Sequence, residues 1–436
     1  MNWHRCYTNW PRGVRSRAYQ PMKIGNNEIT LGASCMSSNE KKTLVPRLRF
    51  PKFRKDPEWE KDKLEKLVTT ISPPAKLQST SYRTQGKFPI IDQSQGLICG
   101  WTDDESSVIT EPLPLIVFGD HTCVLKFVNE PFAQGADGIK ILKAKPTVSS
   151  KYLFYSLSHR PLEMEDYKRH FSTLKERVVV FPDIESGEQQ KIADSLSSLD
   201  EYLNAEVQKL DALKKYKKGL MHKLFPREGE TVPRLRFPEF QDMGEWKDKS
   251  IGDFGEIITG STPSTAHAEF YGGDIMFVSP ADISDLGWVC ETKTTLSALG
   301  FEKTRPVKAN SVLFVCIGST IGKVAQNVRD CATNQQINSV VSNSEHSGGF
   351  VYYILSLNAK RIAKLAGIQA VPIINKTQFS AIKLLVPEFP EQERIAKCLS
   401  SLDELITAQD QKINALKTYK RGLMQQLFPV LDEIPA

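Results

Sequence analysis

The chain states one long segment twice. Glu188 to Pro226 (EQQKIADSLSSLDEYLNAEVQKLDALKKYKKGLMHKLFP) returns as Glu391 to Pro429 (EQERIAKCLSSLDELITAQDQKINALKTYKRGLMQQLFP), identical at 24 of 39 aligned positions, which marks an internal repeat. A shorter echo precedes each copy. Val45-Pro46-Arg47-Leu48-Arg49-Phe50-Pro51 recurs as Val232-Pro233-Arg234-Leu235-Arg236-Phe237-Pro238, and Trp59 and Trp246 follow at the same distance. Between these ends, residues 64–180 and 251–385 share almost no residue-by-residue identity. Such a chain is two half-molecules of one plan, in which a constant frame is architecture and divergent inserts are recognition.

The repeated segment has helical periodicity. Ile192, Leu196, Leu199, Leu203, Val207, Leu210, Leu213 and Leu220 recur at steps near three and four, and Ile395, Leu399, Leu402, Ile406, Ile413, Leu416 and Leu423 keep the same phase. That spacing predicts one long helix with a heptad-like seam in each copy. Prolines (Pro182; Pro387 and Pro390) and a first-turn glutamate introduce each helix, and Phe-Pro stops it at Pro226 and Pro429. Lys209, Lys214, Lys215, Lys217 and Lys218, with Lys412, Lys417, Lys420 and Arg421, crowd the C-terminal halves. There they complement the helix dipole, as a solvated face or as phosphate contacts. One amphipathic helix of this length cannot cover its own seam. The two are expected to pack on each other as an antiparallel coiled coil, with intermolecular pairing as the alternative.

The inserts read as short strands with polar turns. Ile275–Val278, Ser311–Cys316 and Ala325–Val328 are strand-like, and Gly349–Leu355 begins a helix. In the first insert Leu115–Thr122 takes the place of Phe314–Thr320, and Lys151–Tyr155 that of Phe350–Leu355. The fold class is therefore α+β: two pseudo-twofold-related domains of mixed strands and helices, separated by the helix pair. The expected boundaries are an N-terminal extension over 1–44, a first recognition domain over 45–182, and the first long helix with its linker over 183–231. A second recognition domain over 232–388, the second helix over 389–430 and a tail over 431–436 complete the chain. Residues 1–35 have no periodicity and no counterpart in the second half. They read as a disordered tail, or as non-native sequence ahead of a biological start at Met36.

Composition excludes several classes. The net charge of +6 suits a polyanion without establishing one. Eight cysteines show no CxxC pair, and seven histidines show no partner at metal-ligand spacing. Isolated thiols such as Cys316 read as buried hydrophobes of a reducing compartment. No apolar run reaches a membrane span, and Arg5, Arg12, Arg15 and Arg17 interrupt any signal-peptide core. The expectation is a cytoplasmic protein with no membrane partner. Catalytic motifs fail on inspection. Gly318-Ser319-Thr320-Ile321-Gly322-Lys323-Val324 is one residue short of a P-loop and offers Val324 where a magnesium-binding hydroxyl is needed. Ser72-Pro73-Pro74-Ala75 lacks the aromatic that stacks on a flipped base. Glu185 and Glu188, near Pro182-Asp183, sit where helix starts favour acids rather than in a nuclease cluster.

Two variable domains, each followed by Glu-Gln-x-x-Ile-Ala-x-x-Leu-Ser-Ser-Leu-Asp and then Gly-Leu-Met-x-x-Leu-Phe-Pro, resemble the specificity subunit of type I restriction-modification systems. The signature stands at Glu391-Gln392, Ile395-Ala396, Leu399-Ser400-Ser401-Leu402-Asp403 and Gly422-Leu423-Met424, and at Glu188, Ile192, Leu199-Asp200 and Gly219-Leu220-Met221. The first copy departs in having two more residues between Pro182 and Glu188 than lie between Pro387 and Glu391. The resemblance implies a non-catalytic subunit without its own cofactor. Each recognition domain would read half of a split site on double-stranded DNA, and the helix pair would set the gap. Two modification subunits would bring S-adenosylmethionine chemistry, and restriction subunits ATP and Mg2+.

Short polar donors in turns suit groove contacts. On that argument, and on the family's recurring turns, the candidate DNA contacts are Gln93, Ser94, His121 and Thr122 in the first domain. In the second they are Thr262, Ser319, Thr320, Lys323, Asn334, Gln335 and Lys376. Two other readings stay open: a coiled-coil scaffold with two protein-binding domains, and a fused methyltransferase or nuclease.

Overall fold

A computed structural model of the chain describes residues 44–110, 112–136, 138–165, 168–284, 287–367 and 372–429. The expected start at Met36 and the tail over 431–436 lie outside the described residues. The chain divides into two compact units, and each long helix contributes to both. The first helix runs Glu188–Leu224 and the second Phe389–Leu427. One unit holds residues 44–207 and 412–429, the other residues 208–411. The two extra residues of the first copy are taken up in a short turn, Ile184–Ser186, closed by Gly187 at φ 78°.

In the first unit a four-stranded antiparallel sheet runs Val68–Ile71, Ile139–Ala144, Leu115–Gly119, Leu125–Val128. A second sheet is centred on Phe88–Ile91 and Phe132–Gln134, which pair in parallel. The second unit repeats this order as Gly255–Thr259, Ile337–Ser342, Val312–Val315, Val324–Asn327, and adds Trp288–Val289 at the edge. Its second sheet again pairs two strands in parallel, Tyr271–Val278 and Cys331–Thr333. The shared plan corrects one expected correspondence. Phe118 meets Phe171 as Phe314 meets Phe379 (centroids 6.4 and 5.1 Å), and Phe118, Phe314 and Phe379 are fully buried. Phe118, not Leu115, is thus the counterpart of Phe314.

The repeated motifs interlock at the root of each long helix. In the first unit Arg49 donates from Nε and Nη2 to the two oxygens of Glu188 (2.9 and 2.7 Å), and Nη1 reaches Asp56 O (2.8 Å). The Trp59 indole adds a bond to Glu188 Oε2 (3.1 Å). Gln189 accepts from Ser149 N (2.8 Å), the N-cap of the domain helix Ser150–His159, and donates to Pro182 O (2.7 Å). The second unit copies the arginine and glutamine bonds. Arg236 binds Glu391 (2.9 and 2.7 Å), and Gln392 accepts from Ser347 N (3.0 Å) and donates to Pro387 O (2.9 Å). The ends of the helices are seated alike: Phe428 packs on Tyr152 (5.6 Å), and Phe225 stacks on Phe350 (5.4 Å). The symmetry lapses at Trp246, whose buried Nε1 finds no acceptor among the described residues.

Within each unit the two long helices run in opposite directions. In the first, Asp200 pairs with Lys420 and Glu206 with Lys412, so partner numbers fall as residue numbers rise. In the second, Lys217 pairs with Asp403. Ile192, Leu196, Leu203 and Ile413 are buried in the first unit, and Leu210, Ile395 and Leu399 in the second. Leu199, Leu213, Leu402, Ile406 and Leu416 are half-buried. The seam departs from expectation at one step: Val207 is 37% exposed while Glu206 is 7% exposed. The alternating steps of four and three lead from Leu203 through 206 to Leu210, and this phase, not hydrophobicity, decides which residue turns inward.

Opening either Arg–Glu pair leaves a buried charge without its partner. Arg49→Leu or Arg236→Leu should each cost about 3–5 kcal/mol in denaturant unfolding, and adding Glu188→Leu or Glu391→Leu to the same variant should recover most of it.

Candidate nucleic-acid interface

In the second unit four loops meet. Gly260 N and Ser261 N donate to Ile337 O and Thr333 O (3.0 and 2.9 Å). A Cβ at Gly260 would lie 2.1 Å from Asn334 O, so glycine is required for that approach. Cys316 N donates to Gln336 O (2.7 Å), while Gly318 N reaches Pro372 O (3.0 Å) and Ile374 N reaches Cys316 O (2.9 Å). The turns at 259–262, 316–323, 333–337 and 372–376 therefore form one surface, and all seven residues expected from sequence in this domain lie on it.

Their side chains divide by what they already hold. Thr262 Oγ1 donates to Gln335 Oε1 (2.5 Å), and both residues are exposed. Asn334 binds Gln336 at both ends of its amide (3.0 and 3.1 Å), so it shapes the turn. Ser319 and Lys376 are exposed and Thr320 is half-buried. Lys376 opens a short helix, Lys376–Ser380, behind an Asn375/Gln378 capping box. Lys323 is exposed and already bonded. Its ammonium donates to Pro280 O and Ile283 O (both 3.1 Å), so its charge anchors the loop after the strand ending at Val278. Sequence reasoning missed Arg305, which is exposed and donates to Thr259 O (2.8 Å) at the same surface.

The first unit assembles a matching corner. Thr122 Oγ1 donates to Gln93 O (2.7 Å), and Ser94 N to Asp92 Oδ1 (2.9 Å). Gln93 Oε1 is buried without a partner among the described residues, and its amide faces Gly138 at φ 100°, where a Cβ would come within 2.8 Å. His121 Nδ1 lies 3.2 Å from Lys168 O, which gives it a role in holding the backbone at Lys168. The neighbouring His170 holds Asp120 O in the same way from a buried position (3.2 Å). Lys126, buried, donates to Asp92 O (2.7 Å); burial lowers its pKa against the pull of Asp92. Lys126 thus does for this corner what Lys323 does for the other. No sequence motif marks it, because the two lysines stand at different steps of their hairpins.

Chemistry is sparse. Burial pushes the Cys316 and Cys331 thiols up to about 12, where they are poor nucleophiles. Among the described residues no His, Cys, Asp and Glu group could hold a metal ion, and no helix is long and apolar enough to cross a membrane. What the two surfaces offer is hydrogen-bonding side chains on loops fixed by rigid sheets.

Comparison with known proteins agrees. The family described as type I restriction modification DNA specificity domain matches residues 243–418. The HindI specificity subunit of Haemophilus influenzae is 32% identical over 172 residues, which span 38% of this chain and 37% of that protein. The EcoR124I/EcoR124II specificity subunit of Escherichia coli is 25% identical over 78% of this chain and 85% of its own length. In fold the chain is similar to the S subunit from M. genitalium, with a TM-score of 0.61 at 16% identity, covering 88% of this chain and 99% of that one.

If the Lys323 ammonium serves to anchor the 280–283 loop, Lys323→Met should lower the melting temperature and leave the salt dependence of DNA binding unchanged. A thermal melt and a salt titration with random-sequence duplex check both halves of that expectation.

Proposed function

We propose that this chain is a specificity subunit of a type I restriction-modification system, a reading supported by the DNA specificity family match over residues 243–418 and by the similarity to the EcoR124I/EcoR124II specificity subunit, and that each variable domain binds one half of a split, non-palindromic DNA site. The observation that carries this is the contrast between frame and loops. Arg49–Glu188 and Arg236–Glu391, Tyr155–Asp200 and Tyr353–Asp403 repeat bond for bond, while the loops Asp92-Gln93-Ser94 and Gly119-Asp120-His121-Thr122 differ in sequence from those at 316–323 and 333–337. One frame carrying two different polar surfaces is what reading two different half-sites requires.

The subunit is non-catalytic in this proposal. Adenine methylation with S-adenosylmethionine belongs to two modification subunits, and ATP- and Mg2+-dependent cleavage to restriction subunits. The frame supports two equal partners. Tyr216 and Tyr419 hold equivalent places in the repeat and are 61% and 62% exposed, each amid lysines and beside a glycine, Gly219 or Gly422, with open space around it. Aromatic side chains left in water at matching positions suit docking of two copies of one protein. Each long helix, of 37 and 39 residues, is ~55–60 Å long, enough to span more than one turn of B-form DNA at ~34–36 Å.

The half-sites should be separable: replacing residues 64–180 by the matching insert of a relative is expected to change one half of the methylated motif and keep the other. The helices should act as a ruler. One heptad added after both Leu203 and Ile406 preserves the seam phase, adds ~10 Å, and should lengthen the gap by about three base pairs. A folded, complex-forming variant that keeps the original gap would show that the helices do not set it.

A further inference from the structure

The polar surface of the second unit has one large apolar residue near its middle. Ile373 is 43% exposed, yet it is held as firmly as a sheet residue. It bridges Ile317 in antiparallel register, and the bonds that make the bridge lie on either side of the pair: Gly318 N to Pro372 O (3.0 Å) and Ile374 N to Cys316 O (2.9 Å). A pair flanked rather than joined by its bonds is the closer kind, with both side chains on one face. Ile374, the next residue, is 1% exposed and belongs to the core. Alternation along the segment therefore turns Ile373 outward, and its branched Cβ leaves it few rotamers.

A single exposed isoleucine is ordinary on a protein surface; the surroundings of Ile373 are what single it out. Ile317, its cross-strand partner, is half-buried and packs against the core of this unit, so the two make an apolar step from the interior to the surface. Cys316 takes Gln336 O through its N–H (2.7 Å) and Ile374 N through its carbonyl, which brings the 333–337 turn against the segment that carries Ile373. On that turn Gln335 is exposed, and Thr262 holds its amide oxygen (2.5 Å). Lys376 and Arg305 are exposed on the same surface. The turns at 259–262, 316–323, 333–337 and 372–376 contain no Asp or Glu, so they carry no charge that repels a polyanion. Amide groups beside a rigid aliphatic one match an A·T pair, which offers the adenine N6 and N7 and the thymine C5-methyl in the major groove. A phosphate or a cytosine edge would give the isoleucine nothing apolar to cover it.

We propose that Ile373 reads thymine, packing on a C5-methyl group in the half-site bound by the second domain, with Gln335 and Thr262 as the hydrogen-bonding groups beside it. The proposal rests on the split-site reading and adds to it one residue and the chemical group that the residue recognises.

The test uses the full chain assembled with its modification subunits, and duplexes carrying the motif that the complex methylates. The second domain's half-site is the one that stays fixed when residues 64–180 are exchanged. Each thymine in it, on either strand, is replaced in turn by deoxyuridine, which removes the methyl group and leaves the hydrogen-bonding edge intact. Wild type and Ile373→Ala are compared by competition binding. One replacement is expected to weaken wild-type binding about fourfold, the worth of one buried methyl group. With Ile373→Ala the same replacement should change nothing, and the variant should bind the unmodified motif correspondingly less well. Replacements in the other half-site should act equally on both proteins. The same deoxyuridine profile in wild type and variant, while both still prefer the motif to random duplex, would overturn the proposal and leave the split-site reading standing. No preference of the wild type for the motif over random duplex would overturn that reading, and the proposal with it. If Ile373→Ala weakens assembly with the modification subunits and leaves every thymine-to-deoxyuridine ratio unchanged, the isoleucine serves that contact and the proposal falls.

Discussion

A buried arginine–glutamate pair at the root of each long helix is the contact on which the other frame contacts depend. Glu188 is fully buried and Glu391 nearly so, and an isolated carboxylate there would be costly enough to unfold its surroundings. Each is matched by a two-pronged guanidinium from the short motif that precedes the domain. Since the partner lies 139 or 155 residues away in sequence, the pair closes the whole domain into one loop. The next residue, Gln189 or Gln392, ties the domain helix to the same point. A buried ion pair adds little net stability over apolar packing; its value here lies in fixing where the helix begins relative to the domain.

Along the helices a second polar device works in the seam. Apolar heptads alone tolerate sliding by a full repeat, whereas a charged group in the seam has one low-energy partner. Asp200 with Lys420, and Asp403 with Lys217, supply such fixed points, and each aspartate also accepts from a domain tyrosine, Tyr155 at 2.8 Å and Tyr353 at 2.6 Å. Burial together with the aspartate raises both phenols, so they remain donors at any physiological pH. Helix register and domain position are thereby coupled through the same carboxylate.

Much of this was legible in the chain. Repetition exposed the frame, and the three-and-four spacing gave both helices and their phase, because helical periodicity is a local signal. The misreading of Val207 came from judging one copy alone. The second copy has Asp410 at that place and Gln409 one step before, which shows that the inward position is polar in both. The roles of Arg49, Glu188 and Gln189 were not legible, since identical residues in two copies reveal importance without revealing contact. Loop residues were harder still. Turn chemistry put Ser319, Thr262 and Lys376 on one exposed loop surface, whereas Lys323 and His121 set polar atoms against backbone carbonyls. A sequence states which groups a turn carries and not which of them the fold already satisfies.

The central claim, two unlike readers on one repeated frame, is tested most directly by the methylated motif found genome-wide when this chain is expressed with its modification subunit. The expected result is one motif of two different specified halves separated by an unspecified gap of constant length, with a modified adenine in each half. A single uninterrupted motif, or two identical halves, would contradict the account.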